Sequence, residues 1–169
     1  MAKVLVTGMS GAGKSSAIVA LETRGHRAVD TDTDEWSEWV TLPDGTRDWI
    51  WRAGAVCRLL AAPGAGHLFV SGCKTNQGRF YPRFDRIVLL TAPVEVLVAR
   101  IRHRRTNPYG QRPEELAAIL HHVATVEPLL RATATDVIDA AVPLDRVAAA
   151  LERIAHEADG ACGSAQRDR

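Results

Sequence analysis

The chain has 169 residues with 21 Lys and Arg against 20 Asp and Glu, a net charge of +1, which excludes a broad electrostatic grip on nucleic acid or an anionic membrane. That length suits one well-buried core and is too short for two ordinary domains. No apolar run approaches the ~20 residues of a membrane span. The three cysteines lack metal-like spacing, so reduced thiols in a cytoplasmic protein are expected.

Lys3 to Thr7 is an apolar run suited to a buried strand, and Ser16 to Glu22 is a helix former. Between them, Gly8-Met9-Ser10-Gly11-Ala12-Gly13-Lys14-Ser15 fits G-x-x-x-x-G-K-[ST] at every fixed position. Such a loop turns its backbone N–H groups inward around phosphate oxygens, and a Cβ at several positions would block the approach. Gly8, Gly11 and Gly13 remove that obstruction, with Ser10, Ala12 and Ser16 completing the cradle. The following helix adds its free N-terminal donors and positive dipole end. Lys14 supplies a point charge for the β- and γ-phosphates, and the Ser15 hydroxyl can ligate Mg²⁺. ATP with Mg²⁺ is the ligand this loop predicts.

Gly25 ends the first helix, and Arg27 to Val29 leads as a short strand into Asp30-Thr31-Asp32-Thr33-Asp34. Alternation puts the three carboxylates on one side of an extended chain. Asp30 is assigned to the Mg²⁺ shell, Asp32 to the acceptor hydroxyl as orienting group or base, and Asp34 to the acceptor beside it. All four tryptophans, Trp36, Trp39, Trp49 and Trp51, fall in the next stretch around a Pro43-Asp44-Gly45 turn, and Trp36 could stack on an acceptor ring. Apolar spacing predicts a helix from Trp49 to Ala62, stopping at Pro63-Gly64.

His67 to Cys73 reads as a second strand, followed by a polar loop over Lys74 to Arg79, and Gly72 at the strand end is placed at substrate together with Lys74 and Arg79. Arg86 to Leu90 is a third strand, and Pro93 opens a helix to about Arg105. Arg100 and Arg104 share one face of that helix, the first directed to adenine and the second to the phosphates. The Pro/Gly loop from Thr106 to Gly110 then suits a lid, while His103, His121 and His122 read as surface residues. A helix from Pro113 to Leu130, a short strand at Val137 to Asp139 and a helix from Leu144 to about His156 complete the chain. Asp159 onward reads as a frayed tail.

Strands alternating with helices predict an α/β fold with a parallel sheet covered on both faces. The loops at the carboxyl ends of its strands then gather the ligands. Neither Leu68 to Ser71 nor Ile87 to Leu90 ends in a carboxylate, which leaves the metal to the Asp30 run.

From residue 3 to about 155 the chain resembles the small P-loop kinases of the shikimate kinase, gluconate kinase and nucleoside monophosphate kinase group. The resemblance rests on the phosphate loop, the Asp30-x-Asp32 pair and the Arg positions. It implies a three-layer fold of about five strands in one domain over 1–158, with a substrate-binding insert near 34–66, a lid near 103–113 and a disordered tail over 159–169. It also implies that Arg52 and Arg131 hold the acceptor and that Asp139 to Pro143 lie along adenine. Only Gly72 stands where shikimate kinases carry Gly-Gly-Gly, and Lys74 is more similar to the gluconate kinase loop. The expected activity is transfer of the γ-phosphate of ATP to a small hydroxylated or carboxylated acceptor. Nucleoside or nucleoside monophosphate kinases, and an ATP-binding regulator with little turnover, are the alternatives. The expected partner is the small-molecule acceptor alone, without nucleic acid or membrane, in a monomer or small homo-oligomer.

Overall fold

The computed structural model describes residues 1–105 and 107–165, with side chains through residue 160. Five parallel strands form the central sheet: β1 (Lys3–Thr7), β2 (Arg27–Asp30), β5 (Leu68–Ser71), β6 (Arg86–Thr91) and β7 (Asp136–Asp139). Their order is β2-β5-β1-β6-β7, with β1 at the centre, so the chain reverses direction across the sheet on either side of the phosphate loop. Two further strands, β3 (Ser37–Thr41) and β4 (Arg47–Trp51), pair antiparallel as a separate hairpin.

Strand alternation builds the layers. Val4 and Val6 face the cluster formed with α1 (Lys14–Thr23), Leu97 of α3 (Val94–His103) and α6 (Leu144–Ala165), where Leu21, Ala148 and Leu151 are buried. Leu5 faces the opposite cluster, with Trp51, Phe80 and Val56 and Leu60 of α2 (Ala53–Ala61). A third, smaller cluster joins Met9 of the phosphate loop to Leu89 and Leu130. Helices α4 (Pro113–Thr125) and α5 (Glu127–Thr133) complete the set.

Four expectations are corrected. Trp49 to Trp51 are strand, not the start of a helix, because Trp39 pairs with Trp49 and Ser37 with Trp51 across the Pro43-Asp44-Gly45 turn. Asp44 Oδ1 accepts from the Thr46 backbone N–H at 2.9 Å, locking that turn and with it the register. The predicted helix from Pro113 to Leu130 is two helices, since Pro128 lacks the N–H that would continue the ladder. Gln77–Arg83 is a 3₁₀ helix where the sequence reading has a polar loop. The closing helix runs to Ala165, past the point assigned to a frayed tail, and residues 166–169 lie outside the described residues.

At the amino end of the sheet, His67 is buried and its Nδ1 accepts from the Ala2 backbone N–H at 3.2 Å. The His156 ring stands edge-on to it at 4.6 Å, and His26 packs nearby and meets Glu152 at 3.0 Å.

Candidate active site

The phosphate loop leaves β1 at its carboxyl end and enters α1 through Gly13. Gly8 has φ +149°, and a Cβ there would lie 2.4 Å from the Leu90 carbonyl oxygen, so the loop is pressed against β6 in a way only glycine permits. Among the described residues no side chain caps α1, so its first amides stay available to an anion. Lys14 curls back over the loop, donating to the carbonyls of Gly8 at 2.8 Å and Met9 at 3.2 Å.

A cavity of about 530 Å³ opens over this loop. Ser10 to Ser16 form its floor, Asp32 one wall, and Arg100 and Arg104 the other. The predicted phosphate-loop residues Ser10, Gly11, Ala12, Gly13, Lys14, Ser15 and Ser16 thus share one cavity, with Gly8 buried beneath it. Arg100 donates to the Ala140 carbonyl at 2.6 Å, bridging α3 to the loop after β7. The apolar end of the cavity is made by Ala140, Val142, Leu144 and Val147. Asp139 and Pro143, expected there, are neighbours of that wall; the Asp139 carboxylate accepts from the Ala141 N–H at 2.8 Å and shapes the turn.

Arg104 is drawn onto the lid loop, donating to the Tyr109 carbonyl, and its Nε is buried without a partner among the described residues. Burial pushes its guanidinium below the ordinary value. His103 is exposed, as expected, and stands with Asn107 on the cavity's lining. Thr106 of the expected lid lies outside the described residues.

The carboxylates at the end of β2 are held differently from one another. Asp30 is half-buried, its Oδ1 accepting from Ser71 Oγ at 3.2 Å and from the Asp32 N–H at 3.1 Å. Asp32 reaches the cavity, and its Oδ1 accepts from Lys74 Nζ at 2.5 Å. Asp34 is exposed, and its backbone carbonyl accepts from Arg52 Nε at 2.9 Å. Among the described residues no three His, Cys, Asp or Glu side chains are grouped to hold a metal ion.

Of the residues expected at the acceptor, Lys74 joins Asp32 directly, and its ammonium lies 5.5 Å from the Trp49 ring centre. Gly72 is buried, and a Cβ there would lie 2.6 Å from Thr31 Oγ1 and 2.9 Å from Trp51 Cζ2, so glycine at this position is a packing requirement. Arg52 precedes α2, where it ties down Asp34 and Ser37 carbonyls and pairs with Glu38 at 3.4 Å. Arg131 pairs with Glu127 at 3.1 Å beside Thr91. Trp36 is half-buried next to the same turn, and Arg79 is exposed on the 3₁₀ helix, outside the cavity lining.

The sequence reading missed the polar struts under this region. Gln77 is buried; its Oε1 accepts from the Lys74 N–H at 3.1 Å and its Nε2 donates to Thr7 Oγ1 at 3.3 Å and to Tyr81 at 2.9 Å. Asn76 pairs with the backbone N–H and C=O of Trp51 at 3.1 and 2.9 Å. An Asn-Gln pair inside a polar run carries no periodic signal, so only the fold reveals these contacts.

A glycine-cradled loop with Lys14 and Ser15 at the carboxyl edge of this sheet defines a P-loop protein with the nucleotide-binding kinase fold. The chain belongs to the family described as AAA domain, which matches residues 4–121. Among solved structures it is similar to shikimate kinase from Bacteroides thetaiotaomicron, with TM-score 0.64 and 16% identity over 90% of this chain and 97% of the other. It is also similar to shikimate kinase from Acinetobacter baumannii, solved in complex with shikimate, with TM-score 0.55 and 20% identity over 82% and 83%. A gluconokinase from Sinorhizobium meliloti 1021 gives TM-score 0.54 and 20% identity over 92% and 94%. No curated protein matches the sequence. Among the described residues, no helix is long and apolar enough to cross a membrane.

Proposed function

We propose that the protein is a kinase that moves the γ-phosphate of ATP to a hydroxyl group of a small acceptor. The observation that carries this reading is the single cavity shared by Lys14, Ser15, Asp32, Arg100 and Arg104. At about 530 Å³ it has room for a nucleotide, with a phosphate cradle at one end and apolar walls at the other.

The residues fit a nucleoside triphosphate. The uncapped start of α1 and Lys14 bind and orient its phosphates, trading the Lys14 bonds to Gly8 and Met9 for bonds to phosphate oxygens. Ala140, Val142, Leu144 and Val147 suit the base, with Arg100 across its face. Mg²⁺ fits Ser15 with Asp30 or Asp32 through water, and supplies neutralisation of charge on the transferring group. Asp32 keeps one oxygen for the acceptor hydroxyl while Lys74 holds the other. A loose phosphoryl transfer state demands little base strength, so orientation is the larger part of that role. Arg104 leaves Tyr109 when the lid closes and brings positive charge to the equatorial oxygens.

The test is ATP consumption with Mg²⁺ across sugars, sugar acids, hydroxylated cyclic acids, nucleosides and nucleoside monophosphates. One class should raise turnover well above the ATP-only rate, and Lys14→Ala should remove the effect while leaving the circular dichroism spectrum unchanged. If ATP binds and no acceptor stimulates its use, an ATP-binding regulator is the better reading.

A further inference from the structure

Resting on the kinase reading, we propose that the acceptor is a hydroxylated ring carrying no carboxylate or phosphate group, seated against the Trp49 face of the hairpin. An acidic acceptor would need cations free to meet it. Three of the four cations expected to meet the acceptor, Lys74, Arg52 and Arg131, already have a carboxylate of their own, and the fourth, Arg79, stands exposed outside the cavity lining. Lys74 is bound to Asp32, and its side chain is only 4% exposed, so an incoming anion cannot reach it without breaking that pair. Arg52 holds Glu38 through Nη1, while its Nε is spent on two backbone carbonyls that shape the turn from Asp34 to Ser37. Arg131 holds Glu127, which also accepts from Thr91 Oγ1 at 2.9 Å. An anion approaching either guanidinium meets the paired carboxylate at the same time, and the local charge it senses is near zero.

The carboxylates are not matched in return. Asp30 and exposed Asp34 have no cationic partner among the described residues, Asp30 standing on the Mg²⁺ side and Asp34 open to solvent beside the acceptor. What the acceptor side offers instead is aromatic. Trp39 and Trp49 stand opposite each other with ring centres 5.1 Å apart, Arg47 covers the outer ring at 4.9 Å, and Lys74 abuts the inner one. Asp32, at the foot of this wall, faces the phosphate cavity. An aromatic face next to a hydrogen-bonding carboxylate recognises the C–H face and hydroxyls of a polyol ring, or a nucleoside base and its sugar. An amine on that ring is tolerated by the free carboxylates, and an acid group is not.

The experiment compares two panels with wild-type protein. One holds acids: shikimate, D-gluconate and nucleoside monophosphates. The other holds inositol, glucosamine and nucleosides. Phosphoryl transfer from labelled ATP is measured, together with quenching of tryptophan fluorescence by each compound in the presence of ADP and Mg²⁺. A compound of the second panel should be phosphorylated at least about tenfold faster than any acid, and its quenching should disappear in Trp49→Phe. An acid that is the better or an equal substrate overturns this inference and leaves the kinase reading intact. If neither panel is phosphorylated the kinase reading falls, and the titration still decides the charge preference: quenching by the second panel alone supports it, and quenching by acids or by nothing overturns it. The variant Glu38→Gln/Glu127→Gln adds a separate check, since uncovering both guanidinium groups should tighten the binding of acids by about tenfold. No change in acid binding would count against the pairing argument.

Discussion

Lys74 Nζ lies 2.5 Å from Asp32 Oδ1, joining the loop after β5 to the end of β2 at the rim of the nucleotide cavity. The two partners differ in burial: the Lys74 side chain is 4% exposed and that of Asp32 50%. Removing one is therefore not equivalent to removing the other. Asp32→Asn strands a buried ammonium and should cost on the order of 3 kcal/mol. Lys74→Met leaves a carboxylate that water can serve, and should cost about 1 kcal/mol or less. Urea unfolding at constant m-value measures both, and equal losses would show that the pair is not asymmetrically buried.

The phosphate loop separates folding from binding. Gly8→Ala drives a Cβ to 2.4 Å from the Leu90 carbonyl and imposes a φ that alanine avoids, so a stability loss of about 1–3 kcal/mol is expected. Lys14→Ala removes only the bonds to Gly8 and Met9. It should leave the melting temperature within a few degrees and weaken ATP binding at least about tenfold, read by calorimetric titration.

Acid should destabilise the protein through His67. Its burial, followed by the charges of His156, His26 and the N-terminal amine, holds the imidazole below the free value of 6.5. A group depressed in the folded state binds more protons when unfolded. Its stabilisation is full above pH 6.5 and is lost as the pH falls from there through the lowered folded value. The Ala2 N–H needs an unprotonated Nδ1, which gives the same sign. Replacing His67 with Gln, which can still accept, should flatten the denaturation midpoint between pH 7.5 and about 5.5. An unchanged slope would place the acid sensitivity elsewhere, with His26 and Glu152 the next pair to test.

Trp51 is a structural tryptophan, unlike Trp39 and Trp49. Its indole N–H donates to Thr31 Oγ1 at 2.6 Å, and Thr31 donates to the Ser71 carbonyl at 2.5 Å. Trp51→Phe loses that bond and leaves a small void, an expected cost of about 1–3 kcal/mol. Gly72→Ala presses on the same two side chains and should cost a similar amount. Thermal melts of the two variants and their combination test the shared origin, because changes at one contact should not add.

Much of this molecule is legible in the sequence where a local signal and the fold agree. The loop from Gly8 to Ser15 has fixed spacing, and the strands at Lys3 and Arg86 are continuous apolar runs with no competing period. The hairpin is not legible in the same way. Ile50, Ala53, Val56 and Leu60 keep helical spacing, yet Trp39 to Trp49 pairing removes Ile50 from the helix. Arg52 and Arg131 show a further limit: the family resemblance put them at the acceptor, whereas Glu38 engages Arg52 through a contact with no sequence pattern and Glu127 engages Arg131 as an i,i+4 pair within α5. His103 is an exposed residue at a helix end, and its place on the cavity lining depends on where α3 stops, which no local signal marks.

The hairpin is tied to the sheet at its inner end, where Asn76 clasps Trp51, Thr75 meets Asp48 and Lys74 abuts Trp49. Its outer turn, Pro43 to Thr46, is solvent-exposed and closed by its own Asp44. An environment-sensitive dye can therefore be attached through a cysteine at exposed Pro43, whose side chain takes no part in the Asp44–Thr46 lock, without disturbing the strands that present Trp39 and Trp49. This gives the molecule a built-in attachment point from which acceptor docking can be watched in real time.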